Sequence, residues 1–150
     1  MPATEFSYKR SRFSTRLLVH RKYTAGHSWL EQEDSDVWRV GFTKFAVRML
    51  GDIVELGFDA ELGTQVETGQ VVGWLEGFKA VTDIFSPLAG RFEAVNPRLR
   101  DEAVLIARDP YREGWLFKVR GRLDDSCLDV QEYVALLDTT IEKMLGQRHE

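Results

Sequence analysis

The chain has 150 residues, a formal net charge of −4 and 43% hydrophobic residues, enough for one well-buried domain and too short for two of ordinary size. No apolar run approaches the roughly 20 residues needed to cross a bilayer. A single cysteine, Cys127, excludes an internal disulfide framework and a cysteine-rich metal site, so a soluble single domain is the expectation.

Residues 1–23 carry Lys9, Arg10, Arg12, Arg16, Arg21 and Lys22 against one acid, Glu5, which leaves the remainder of the chain acidic. An arm of this kind suits a transit peptide, a nucleic-acid tail or a strand with a solvated outer face. Phe13, Leu17, Leu18 and Val19 are too apolar for a nucleic-acid tail, and there is neither a secretory apolar core nor a small-residue cleavage site. The strand is favoured. Residues 1–22 are therefore read as a basic extension packed on a domain formed by residues 23–150, with no nucleic-acid or membrane partner.

Residues 28–42 read as two strands around the turn Glu33-Asp34-Ser35-Asp36. Thr43 is placed to cap a short helix that Gly51 stops, with Phe45, Met49 and Leu50 on one face. Residues 53–56 resume an extended run. Two further strand-like runs, residues 71–75 and 81–88, enclose Glu76-Gly77-Phe78-Lys79-Ala80-Val81-Thr82-Asp83. Gly77 supplies the backbone freedom for a tight reversal, which predicts a hairpin with Lys79 at its tip and its amine in solvent. Turn signals flank this hairpin in mirrored order, Gly63 to Gly69 before it and Ser86-Pro87-Leu88-Ala89-Gly90 after it, a weak internal duplication with Lys79 at the join.

Asn96-Pro97 suits the start of a helical turn reaching about Glu102, and residues 103–107 form an apolar run without an assignment. Asp109-Pro110-Tyr111-x-x-Gly114 is a turn by composition, followed by a strand over residues 115–119. Cys127 reads as a small half-buried residue ahead of a helix. Asp129 with Glu132 forms a capping box, and Val130, Tyr133, Val134, Leu137, Ile141, Met144 and Leu145 recur at helical spacing until Gly146, read as the stop.

His20, His27 and His149 stand at no spacing that one helix or hairpin would present to a metal, so no metal site is expected. No Ser-His-Asp context, nucleotide-binding glycine loop or CxxC pair is present, and nothing identifiable would catalyse a reaction alone. His27 reads as a packed or turn-bonded residue. The chain is expected to be a carrier acted on by enzymes rather than an enzyme.

Five motifs occur in register: Tyr23-Thr24-x-x-His27-x-Trp29, Val40-Gly41-x-Thr43, Leu50-Gly51-Asp52-Ile53-Val54, Glu76-x-x-Lys79-Ala80, and Asp109-Pro110-Tyr111-x-x-Gly114-Trp115-Leu116. In order and approximate spacing they resemble the glycine cleavage system H protein family, from about Tyr23 to the C-terminal helix. The resemblance implies a mainly β fold, a barrel-sandwich hybrid like that of lipoyl domains, with short helices and a C-terminal helix. It implies a lipoic acid group in amide linkage to Lys79, with Glu76, Gly77, Phe78 and Ala80 read by the lipoate-attaching enzyme. It also implies service to glycine decarboxylase, aminomethyltransferase and dihydrolipoamide dehydrogenase, in the cytoplasm, or in mitochondria if the basic N-terminus is a transit peptide.

His27, Ser28 and Asp83 are the candidates for docking the arm. Ser28 departs from the family, which has an acid at that position, associated with holding an aminomethylated arm. Asp83 matches the family's other acid. This departure supports an alternative, a similar lipoyl carrier serving sulfur oxidation or lipoyl relay; an unmodified interaction module is the third reading. Biotin attachment is disfavoured, because Phe78 and Ala80 rather than methionines flank Lys79.

Overall fold

The computed structural model describes residues 4–148, and His149 lies outside them. In chain order the elements are β1 (Glu5–Arg10), β2 (Phe13–Leu18), β3 (Lys22–Tyr23), β4 (Ser28–Gln32), β5 (Val37–Phe42), α1 (Lys44–Leu50), β6 (Ile53–Phe58), β7 (Gln65–Val66), β8 (Val71–Gly77), β9 (Val81–Phe85), β10 (Ala89–Val95), a 3₁₀ turn (Pro97–Arg100), α2 (Leu105–Arg108), β11 (Phe117–Arg122) and α3 (Val130–Arg148). The strands form a six-stranded sheet in the order β3-β4-β5-β11-β10-β7, a three-stranded sheet β6-β8-β9 and a separate β1-β2 hairpin. The fold is mainly β, as expected, with a C-terminal helix.

The two larger sheets enclose one core. Leu30, Val40 and Phe42 from β4 and β5, Phe92 from β10, and Phe117 and Val119 from β11 meet Val72 and Leu75 from β8 and Ile84 from β9. Each such side chain contributes roughly 1.5 to 3 kcal/mol when fully removed from water. The mirrored halves of the sequence close on each other: β8 pairs with β9, β7 pairs with β10, and the flanking turns meet through Gly69 N–H to Ser86 O at 2.7 Å and Ser86 N–H to Gln70 O at 2.8 Å. The stretch between Gly63 and Gly69 is thus a short strand as well as a turn.

A second cluster joins the N-terminus to the C-terminus. The expected single N-terminal strand is a hairpin, because Phe13, Thr15 and Leu17 alternate inward along β2 while Ser14 and Arg16 face solvent. Tyr8, Phe13 and Leu17 pack with Phe45 of α1 and with Val130, Tyr133, Leu137 and Ile141 of α3. Two polar ties reinforce this: Tyr8 Oη donates to Asp138 at 2.7 Å, and Arg10 pairs with Asp138 and Glu142. Part of the basic charge of the arm is therefore matched by acids on α3.

The helices depart from expectation in three details. Thr43 is the N-cap of α1, but its hydroxyl does not cap the helix; it is engaged with Tyr133 Oη at 2.7 Å. Met49 does not share the buried face of Phe45 and Leu50. It is 46% exposed, and Val47 is buried instead. Gly146 does not end α3, which continues to Arg148; a glycine inside a helix costs about 1 kcal/mol relative to alanine but does not by itself break it. The capping box is formed in both directions, Glu132 N–H to Asp129 Oδ1 at 2.8 Å and Asp129 N–H to Glu132 Oε1 at 3.0 Å. The unassigned apolar run contributes to α2, and the strand expected at residue 115 begins at Phe117.

Candidate functional site

Lys79 stands in the connection Phe78-Lys79-Ala80 between β8 and β9 and is exposed, as are both neighbours. The hairpin closes through Gly77 N–H to Ala80 O at 2.8 Å. The tip is also pinned from outside: Lys79 N–H donates to Leu50 O at 2.8 Å and Phe78 N–H to Asp52 O at 2.7 Å. These acceptors lie at the corner where α1 passes into β6.

Two glycines make this contact possible. Gly51 has φ +77°, and a Cβ there would stand 2.9 Å from Lys79 Cγ. Gly77 does not have a positive φ; its role is not the conformational freedom expected of it but close approach, since a Cβ there would stand 2.2 Å from Leu50 O. The lysine backbone is thus held rigidly while its side chain projects outward.

The other residues expected at an attachment site share this hairpin. Glu76 is half-buried on β8, opposite Val81 on β9 and Glu55 on β6. Asp83 is exposed, opposite Trp74. Apolar side chains are also exposed here, Phe78 at 84%, Val81 at 68% and Val54 at 56%, so the lysine is presented beside apolar and acidic surface.

His27 and Ser28 lie at the opposite end of α1. His27 takes a left-handed φ of +67°, and its carbonyl accepts from Thr43 N–H at 2.9 Å. Its ring is 4.5 Å from the Phe45 ring, and Nδ1 is 2.8 Å from Tyr133 Oη. Burial pushes the His27 pKa down to about 4, so the imidazole is neutral near pH 7, and Tyr133 Oη hydrogen-bonds both His27 Nδ1 and Thr43 Oγ1. Ser28 is half-buried at the start of β4, and its N–H donates to Thr24 Oγ1 at 3.1 Å. The seven residues of α1 separate this pair from the Lys79 corner by about 10 Å along the helix axis.

Two recesses open beside Lys79. One of about 580 Å³ runs between the β1-β2 turn, α1 and the end of α3; Lys79 lines it with Phe13, Phe45, Met49 and Met144, and its other charged lining residues are Arg10, Arg12 and Arg48. The other, about 400 Å³, includes Lys44, Arg48, Asp52 and Phe78. Ser28 and Asp83 line neither. Arg48, Met49 and Asp52 were not singled out from sequence as site residues, although Leu50-Gly51-Asp52 belongs to one of the motifs in register.

A barrel-sandwich of two facing sheets whose hairpin tip holds an exposed lysine defines the lipoyl-carrier class of fold. The family model described as glycine cleavage H-protein matches residues 21–143. The glycine cleavage system H protein of Photorhabdus laumondii is 38% identical over 120 residues, covering 78% of this chain and 92% of that one; that of Thermotoga maritima is 43% identical over 117 residues, covering 75% and 92%. The crystal structure of a glycine cleavage system H protein from Mycobacterium marinum superposes with a TM-score of 0.72 at 34% identity, covering 79% of this chain and 97% of the other. The chain belongs to the glycine cleavage H-protein family.

Proposed function

We propose that this protein is the lipoyl carrier of a glycine cleavage system, with lipoic acid in amide linkage to Lys79 Nζ. The observation that carries the reading is the hairpin tip: an exposed lysine side chain on a backbone anchored by two hydrogen bonds to the α1-β6 corner. The residues fit the group. The Lys79 stem passes over the bare Cα of Gly51, and open recesses on two sides leave room for a long acyl chain. When bound, the lipoyl group supplies a disulfide that exchanges two electrons and carries an aminomethyl unit between enzymes.

The protein's own part is presentation, and no group in it needs to act as acid, base or nucleophile. Glu76, Gly77, Phe78 and Ala80 are the residues a lipoate-attaching enzyme would read, with the exposed apolar rim providing contact area. Glycine decarboxylase, aminomethyltransferase and dihydrolipoamide dehydrogenase are the partners this reading names, and the cytoplasm is the compartment. The names of the relatives favour glycine cleavage over service to another pathway or an unmodified role. Residues 1–22 act in this reading as an extension packed on the carrier domain of residues 23–150.

For the arm itself, α1 is the natural track: Lys79 adjoins its C-terminal end, and His27 and Ser28 adjoin its N-terminal end. A cationic aminomethylated arm favours carboxylates, for which Asp83 and Asp52 are the acids at hand, and avoids Arg12 and Arg48. Intact mass of the protein from its own host tests the attachment, with Lys79→Arg as control. The expected outcome is one lipoyl mass on the native chain and none on the variant, since a guanidinium does not replace the acylated amine. An unmodified native chain would overturn the reading.

A further inference from the structure

The larger recess beside Lys79 carries charge of one sign. Apolar side chains of three elements form its walls, Phe13 of β2, Phe45 and Met49 of α1 and Met144 of α3, and its charged groups besides Lys79 are Arg10, Arg12 and Arg48. No carboxylate lines it. The acids on the other side of the hairpin tip, Glu76 and Asp83, are absent from its lining, and Asp52 belongs to the neighbouring recess with Lys44 and Arg48.

The three arginines are not equivalent. Arg10 is already paired with Asp138 and Glu142, the acids that α3 turns toward the hairpin. Arg12 comes from the two-residue connection Ser11-Arg12, where the β1-β2 pairing closes at Arg10 opposite Phe13 and Ser11 takes φ +55°. Burial of Phe13 and Leu17 fixes that hairpin against α1 and α3, so Arg12 stands on a rigid base. Arg48 projects from α1, its guanidinium carbon 6.0 Å from the Phe13 ring centroid. Both Arg12 and Arg48 are exposed, and neither makes an ion pair among the described residues. Arg12 and Phe13 precede the family-matched residues 21–143, so one wall of this recess comes from outside the matched region.

We infer that Arg12 and Arg48 sort the arm on Lys79 by charge: the recess takes the reduced arm and favours one of its thiols as a thiolate. This inference rests on the lipoyl reading of Lys79. Once Lys79 is acylated its own charge is gone, and the two free guanidiniums are the charges that the arm meets in the recess. Two electrons and two protons convert the arm's disulfide into two thiols, and loss of one proton leaves the thiolate. A cation beside a thiol favours that anion, while methionine and aromatic walls suit a sulfur-bearing chain. The thiolate is the form that attacks a disulfide. When it does so on a partner enzyme, the arm's second thiol displaces the mixed disulfide, and two electrons and two protons pass to the partner as a dithiol. An aminomethylated arm is a cation, and the same two arginines turn it away.

The test uses the lipoylated full-length chain, its mass verified, reduced with a phosphine that is then removed by gel filtration. The rate of thiol alkylation by iodoacetamide is followed against pH, with free dihydrolipoamide measured under the same conditions. The readout is the inflection of the profile rather than the rate itself, because nucleophilicity falls as a thiol's pKa falls. The expected first inflection lies about 0.5 to 1 pH unit below that of free dihydrolipoamide, the size of effect two partly solvated charges exert. Arg12→Gln and Arg48→Gln should each return part of the difference and the double variant most of it, with thermal transitions measured alongside to establish folding. Arg100→Gln, an exposed arginine outside the recess, should match the parent. A lipoylated chain whose inflection equals that of free dihydrolipoamide, or is unmoved in the double variant, overturns the charge-sorting role and leaves the attachment reading intact. A chain without the lipoyl mass overturns both.

Discussion

The backbone N–H of Lys79 donates to the carbonyl of Leu50 at 2.8 Å, so the backbone of the proposed attachment residue is held by a helix end 29 residues earlier in the chain. The side chain is free, but its point of origin is not. A carrier visited by several enzymes benefits from this arrangement, because each partner meets the lysine in one position without paying to order its backbone.

Gly51 and Gly77 should therefore tolerate substitution poorly for different reasons. Gly51 combines φ +77° with ψ −162°, a region essentially confined to glycine, and Gly51→Ala should cost about 1 to 3 kcal/mol. Gly77→Ala drives a Cβ onto Leu50 O, a backbone atom that cannot swing aside. In that variant the tip should leave the corner, and the Lys79 and Phe78 amides should lose hydrogen-exchange protection. Protection equal to the parent would show that the pinning is not what fixes the tip.

His27 makes stability depend on pH. Its pKa is about 4 in the folded state and about 6.5 when unfolded, so below pH 6.5 the unfolded chain binds a proton that the folded chain refuses. The stabilising contribution is complete above pH 6.5, declines as pH falls, and is lost once pH passes about 4, by up to about 3 kcal/mol. Urea unfolding of the parent and His27→Gln at pH 7, 5.5 and 4 should show a steeper decline in the parent over this window. Parallel curves would contradict a buried neutral imidazole.

The N-terminal hairpin should behave as part of the folded core. Phe13 is buried, its ring edge-on to Phe45 at 5.5 Å, and Phe13→Ala should lower unfolding free energy by about 3 to 5 kcal/mol. Tyr8→Phe, which removes only the hydroxyl donating to Asp138, should cost about 1 kcal/mol. If residues before 20 were a detachable tail, neither change would alter the urea midpoint.

Ser28 offers a test of the glycine-cleavage assignment in particular. Ser28→Glu supplies a carboxylate at a position where the family has an acid, and the lifetime of the aminomethylated arm should lengthen several-fold at most, since an exposed charged contact is worth about 1 kcal/mol or less. Asp83→Asn should shorten it. The stability of the unloaded form should respond to neither change. Lifetimes unaffected by both would remove these residues from the docking of the arm.

Local chemistry was enough to find much of this molecule in its sequence. Lys79 between two β-branched and aromatic runs reads as a hairpin tip because both strands are specified within a few residues of it, and Asp129 with Glu132 announces the start of α3 because a capping box involves one helical turn. What local chemistry does not contain is the partner across space. Whether Gly77 serves flexibility or close approach depends on Leu50 arriving against it, Thr43 gives its hydroxyl to Tyr133 instead of its own helix because α3 packs there, and Met49 is exposed because the neighbouring Val47 faces the core. The basic N-terminal residues show the same division: Phe13, Leu17, Leu18 and Val19 made the arm legible as a strand, but the acids on α3 that receive Arg10 exist only where the two ends of the chain meet. Hydrogen-bond acceptors and packing surfaces contributed from 27 to more than 100 residues away leave no periodicity in the segment that uses them, and only the tertiary structure brings them together.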